Sequence, residues 1–150
     1  MTEKKAEWIY WAVTAPFVVT MSIAALMLLA GVSSNVEGIT RLGYPLYICK
    51  ILGTAKLLGG IAILYGGFRT LKEWAYAGYT FNLLGATASH AFFGDSLGKI
   101  ITPIIILGFV LASYRLWRKA LDLRVNRISE GSASANLVSN VLSPANQRRV

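Results

Sequence analysis

Charge is scarce in this sequence. Asp, Glu, Lys and Arg together make 15% of 150 residues, against about 25% in an ordinary soluble domain. Residues 8–36, 74–94 and 100–114 carry no formal charge, and His90 is the one side chain in them that titrates near neutral pH. Apolar residues reach 55% and the mean hydropathy is +0.52. A water-soluble catalytic domain is thereby excluded as the first reading. Cysteine is nearly absent too. Cys49 stands alone, so an intramolecular disulfide, a CxxC dithiol and a Cys/His cluster for zinc or iron–sulfur are all excluded. One histidine cannot supply both axial ligands of a haem. No metal site is expected and no cofactor is evident, although a quinone remains compatible. No Asp or Glu falls within any of the apolar runs described next.

What is present is hydrocarbon-seeking sequence. Four spans are predicted, Ile9–Val32, Leu46–Phe68, Trp74–Phe93 and Ile100–Trp117, at the scale needed to cross a core of about 30 Å. They read as helices, because an open sheet edge cannot sit in lipid. The first has Lys4 and Lys5 before it, as a signal peptide would. Its apolar core is far longer than about 7–15 residues, so it reads as a retained span. The fold class is therefore all-α, a four-transmembrane-helix antiparallel bundle over residues 1–119. Residues 120–150 are expected as a polar, basic cytoplasmic tail, rich in Ser and Asn beyond Ser129, in which the last helix runs on past Trp117, frays and then loses order.

Basic residues set the orientation. Lys4, Lys5, Arg69, Lys72, Arg115, Arg118, Lys119, Arg124, Arg127, Arg148 and Arg149 fall on one side; Arg41 and Lys99 fall on the other. Eleven against two places both termini in the cytoplasm of a bacterial inner-membrane protein. The same cations favour contact with anionic membrane lipids over nucleic acid, for which no folded module is present. The second span contains Gly53, Gly59, Gly60, Gly66 and Gly67, with Ala55-x-x-x-Gly59 and Ala62-x-x-x-Gly66 as small-residue pairs. Such stripes suit close helix contact, either within the bundle or with a protein partner or second copy.

Lys56 is the unusual residue, a charge in the middle of the second span. Central placement costs on the order of 2.5–3.5 kcal/mol for insertion, and such residues face protein or a cavity. A structural lysine bonded to helix carbonyls is the plainer alternative. Depth arithmetic at about 1.5 Å per residue brings Asn82 level with Lys56, and Lys50 level with His90. Tyr79, Asn82, Ala86 and His90 share one helical stripe, with Ser89 beside it. Facing the small, polar stripe Cys49, Gly53, Lys56 and Gly60, it would form a pocket open to the outside. Glu37, from the long loop Ser33–Pro45, is the expected acidic partner. For His90 alone, a helix-end residue bonded to backbone is the simpler reading.

These residues resemble a known family. Leu42-Gly43-Tyr44-Pro45-Leu46-Tyr47, Gly53-x-x-Lys56-Leu57, Leu71-Lys72-Glu73-Trp74-Ala75-Tyr76-Ala77-Gly78-Tyr79 and Gly85-Ala86-x-x-Ser89-His90 with Gly94-Asp95 look like the DoxX-like membrane proteins. The resemblance covers about residues 10–118 and implies a four-helix integral membrane protein. It also implies Glu37, Lys56, Asn82, Ser89, His90 and Asp95 as positions of interest. Some relatives are linked to thiosulfate:quinone oxidoreduction or oxidative-stress complexes, and distant ones bind sterols or assist receptor assembly. Absence of a paired cysteine argues against sulfur redox chemistry here.

Three functions are weighed. The first is a non-catalytic subunit of a membrane complex that holds a lipid, quinone or anionic head group through Lys56, Asn82, His90, Glu37, Ser89 and Tyr79. The second is an oxidoreductase component presenting quinone or a sulfur substrate to a partner, since no self-contained catalytic motif is present. A transporter ranks last, because proton-coupled antiport normally uses a carboxylate inside the membrane. Topology is directly testable. Reporter fusions at Ser134 and Ser96 are expected on opposite sides, with Ser134 cytoplasmic; an external Ser134 fusion overturns the charge-based assignment.

Overall fold

The computed structural model describes residues 2–65 and 67–142, with side chains as far as residue 136. Gly66 of the second small-residue pair, Arg148, Arg149 and the end of the polar tail lie outside the described residues. The regular elements are all α-helices: α1 Glu3–Ala30, α2 Ser33–Arg41, α3 Tyr47–Leu64, α4 Arg69–Phe92 and α5 Leu97–Leu142. The all-α expectation holds. Among the described residues there are five helices rather than four, because the first loop folds into α2. Three helices among the described residues, α1, α3 and α5, are long and apolar enough to cross a membrane. The 24 residues of α4 reach about 36 Å at about 1.5 Å per residue. Its composition is more polar, with Arg69, Lys72 and Glu73 at the start and Asn82 and His90 beyond.

Glycine sets three of the helix ends. After α1 the amide of Gly31 donates to the Leu28 carbonyl and that of Val32 to the Met27 carbonyl. The same pair of bonds recurs at Gly43 and Tyr44 after α2, and at Gly94 and Asp95 after α4. Each of the three glycines has a positive φ, of 75°, 88° and 74°, which side chains with a Cβ resist. This is the Schellman arrangement, and it satisfies carbonyls a helix end leaves open. It also turns the chain sharply, so α2 starts within three residues of α1. A nine-residue helix is too short to be stable alone; α2 is tied down at its C-terminal end, as described below.

The chain forms two compact units, Met1–Tyr10 with Arg115–Val150, and Trp11–Tyr114. In the first, Arg124 pairs with Glu3 at 3.4 Å and Glu7 at 2.5 Å, and Arg127 with Glu3 at 2.8 Å. α5 runs on past Trp117 to Leu142, with no proline interrupting it after Pro103. Exposed pairs of this kind contribute about 0–1 kcal/mol each.

The second unit has a core drawn from single helical faces. Thr14, Phe17, Val18, Met21, Ala25 and Leu28 of α1 are buried at three- and four-residue spacing. Tyr76, Tyr79 and Leu83 do the same on α4, and Val110 and Ser113 on α5. Lys72, expected in a loop, is instead buried in the first turns of α4. Thr14 and Ser113 hydroxyls lie 2.6 Å apart, and Tyr76 Oη lies 2.7 Å from Ser113 Oγ, joining α1, α4 and α5. The opposite faces leave Val19, Ile23, Ile51, Leu58, Phe81 and Ile105 exposed, which water would penalise and lipid would not.

Gly53 marks the tightest crossing. A Cβ there would lie 2.8 Å from Leu29 Cγ and 3.0 Å from the Ala25 carbonyl oxygen, so α1 and α3 touch through a bare backbone. By contrast, a Cβ on Gly108 of α5 meets nothing within 4 Å. Gly53→Ala is expected to destabilise by about 1–3 kcal/mol through overpacking. Gly108→Ala is expected to be neutral or to stabilise by up to about 1 kcal/mol through helix propensity. Thermal unfolding in matched nanodiscs checks both, and equal midpoints would contradict the crossing.

Candidate functional site

α3 and α4 pack directly against each other, and one bond fixes their register. Tyr79 Oη donates to the Lys56 carbonyl at 2.5 Å, while its ring meets Phe17 of α1 edge-on at 5.4 Å. Gly59 makes room for that ring, since a Cβ there would sit 3.0 Å from Tyr79 Cε2. Tyr79 is thus 3% exposed and anchors three helices. The expected depth match follows from this register. Lys56 and Asn82 come together on the walls of two cavities.

The larger is a chamber of about 740 Å³, walled by α1, α2, α3 and α4 with Thr102 of α5. Its polar wall comprises Ser34 and Asn35 of α2, Tyr44, Lys56, Asn82, Ser89 and His90. The smaller is a groove of about 280 Å³ between α3 and α4, walled by Leu, Ala, Gly and Trp side chains along with Lys56, Tyr79 and Asn82. Among the described residues, neither the Lys56 ammonium nor the Asn82 amide makes a hydrogen bond or ion pair. That contrasts with nearby hydroxyls. Thr80, Thr87, Ser89 and Thr102 each donate to a carbonyl four residues back at 2.7–2.9 Å.

Ser89 uses its single proton on the Gly85 carbonyl, so Tyr44 Oη, 2.7 Å away, is the donor between them. That bond holds the α2–α3 turn over α4. His90 Nδ1 lies 2.8 Å from Asp95 Oδ2. Asp95 also pairs with Arg41 at the end of α2 and with Lys99 of α5 at 3.5 Å. The Arg41 guanidinium lies over the Phe93 ring, 5.2 Å from its centroid. Asp95 is therefore the joint between α2, α4 and α5. Its position comes from Gly94, whose positive φ swings the chain back over the end of α4.

Four of the six expected site residues, Lys56, Asn82, Ser89 and His90, line the chamber. Tyr79 lines the groove and is tied to backbone. Glu37 departs from expectation: it is exposed and is not part of the chamber wall. Helical geometry explains this. Ser34, Asn35, Gly38 and Ile39 share the face of α2 turned to the chamber, and Glu37 falls on the other side. The acid beside His90 is Asp95. Lys50, expected level with His90, donates to the Leu29 carbonyl at the end of α1. Tyr44, which the sequence singled out within a family motif, also lines the chamber. No group of three or more His, Cys, Asp or Glu able to hold a metal occurs among the described residues.

The hydrogen bond from His90, with Arg41 beside it, holds the Asp95 carboxyl down at about 2. An unfolded Asp titrates near about 3.9, so the unfolded chain takes up the proton first. The contribution of Asp95 to stability is full above about pH 4 and is lost as pH falls through about 2. Asp95→Asn is expected to lower the melting midpoint at neutral pH, with the gap to wild type closing from about pH 4 to 2. Melting curves of both proteins across that range check it; a gap that stays constant contradicts the joint.

Comparison with curated proteins and with solved structures gave no match. The sequence does match the DoxX-like family over residues 12–113, more than half of the chain, with the chamber, the groove and the Asp95 joint inside the matched region. A bundle with exposed apolar faces and three apolar helices of membrane-crossing length fits that match, and this chain belongs to the DoxX-like family of small membrane proteins.

Proposed function

We propose that this protein binds an anionic or quinone-type polar ligand in the chamber, as a non-catalytic subunit of a larger membrane complex. In this reading α1, α3, α4 and the first part of α5 cross the bacterial inner membrane as four antiparallel spans, with both termini cytoplasmic. α2 and the Asp95 joint then lie at the outer surface, and the chamber opens there. The observation that carries the reading is the Lys56 ammonium, placed in a cavity wall beside Asn82 with no partner among the described residues. An unpaired charge at that depth is costly, and a bound anion offsets the cost. Asn82 can donate or accept, and His90, steadied through Nδ1 by Asp95, presents Nε2 as a further contact.

The test is ligand content after purification in native-lipid nanodiscs, read by mass spectrometry beside melting temperature. Lys56→Met is expected to weaken retention roughly ten- to a hundredfold, as the loss of about 1.5–3 kcal/mol from a charge-assisted contact. Asn82→Leu is expected to weaken it less, and Glu37→Gln to leave it unchanged. Unchanged ligand content with equal or higher stability in both Lys56→Met and Asn82→Leu overturns the reading and leaves Lys56 a structural lysine.

A further inference from the structure

The chamber and the α3–α4 groove share Leu52, Lys56 and Asn82, so the Lys56 cation, without a partner among the described residues, stands where a polar space meets an apolar one. The groove runs from Asn82 to Leu71 along α4, about 16 Å at about 1.5 Å per residue. That is about half of a hydrocarbon core of roughly 30 Å, the depth of one leaflet. Leu58, Leu71 and Trp74 on its rim are exposed, and in a membrane they border lipid. Its floor is open: a Cβ on Gly78 would meet nothing within 4 Å. Gly78 is therefore not a helix-contact glycine like Gly53, and the space over it is unfilled.

Resting on the chamber reading, we propose that the ligand is a single-chain carboxylate amphiphile of the membrane, a long-chain fatty acid. Its head group pairs with Lys56 and Asn82 on the chamber side, and its chain lies in the groove over Gly78. Three features select this class. The groove is one narrow channel of about 280 Å³ over a leaflet's depth, which suits one chain. Its wall is apolar beyond Lys56, Tyr79 and Asn82, and the Tyr79 hydroxyl is already bonded to backbone. The chamber wall offers one ammonium and no arginine, matching one negative charge rather than the two of a phosphate monoester. The exposed rim lets the chain slide in sideways from lipid, without the head group crossing the bilayer alone.

The experiment uses the full chain in nanodiscs of zwitterionic lipid, with stearate spin-labelled on its chain as probe. Electron spin resonance should show an immobilised fraction that dodecanoate displaces, with acetate and dodecanol at least tenfold weaker. A Cβ on Gly78 meets no protein atom within 4 Å and leucine favours helix, so Gly78→Leu places its side chain in groove space and should fold and melt no lower. It should weaken stearate at least tenfold, as should Lys56→Met and Gly85→Leu, which fills the chamber. Wild-type stearate affinity in Gly78→Leu, with loss in the other two, overturns the groove assignment and leaves the chamber reading standing. No change in any of the three overturns both. Displacement by dodecanol as strong as by dodecanoate, or by a short-chain quinone alone, overturns the carboxylate assignment.

Discussion

In hydrocarbon a hydroxyl or ammonium cannot fall back on water, and much of this structure follows from that constraint. Thr80, Thr87 and Thr102 turn their hydroxyls onto their own helices. Thr14, Tyr76 and Ser113 meet one another, and in doing so tie three helices together. Polar groups therefore serve as joints in the second unit, while the apolar faces of α1, α3 and α4 look outward. Association of helices in lipid gains little from apolar burial, so small residues and such polar contacts carry more of the specificity. Gly53 against Leu29 and Tyr79 against the Lys56 carbonyl are the two ways this chain achieves it. Lys56 and Asn82 stand apart from that pattern.

How much could be read from the sequence depends on how directly geometry follows from spacing. Lys56 and Asn82 were brought level by helical rise alone, because both sit mid-helix and the helices are antiparallel neighbours. The shared stripe of Tyr79 and Asn82 was legible for the same reason, but the partner of Tyr79 was not. Its hydroxyl goes to a main-chain carbonyl, and no sequence pattern marks which carbonyl a neighbouring helix presents. Glu37 was misplaced because Ser33–Arg41 contains Ser, Asn and Gly, which read as loop. Its C-terminal end is closed by the Gly43 turn and tied through Arg41 to Asp95. Asp95 was noted only through the family resemblance. Its return to His90 depends on Gly94, a turn signal that was available in the sequence.

The end of the bundle that holds Asp95 differs in kind from the opposite end of α4. At the first, α1, α2 and α4 all stop in glycine turns with their last carbonyls satisfied. At the second, the α3–α4 link runs through Tyr65 and Phe68, whose rings lie 6.1 Å apart, without a positive-φ stop at the described residues. The chamber is built against the end closed by glycine turns. Its walls are consequently set by backbone hydrogen bonds and one carboxylate joint, and precise placement of His90 costs little further ordering.

Gly38, Gly78 and Gly85 lie inside helices, yet a Cβ on any of them would meet nothing within 4 Å. Each gives up about 1 kcal/mol of helix stability relative to alanine. The three flank cavity space, Gly38 and Gly85 in the chamber and Gly78 in the groove. A selection for heat resistance alone would thus fill these positions as readily as Gly108. Its winners would be sturdier proteins with their internal space closed, and robustness and occupancy would diverge along the same few residues.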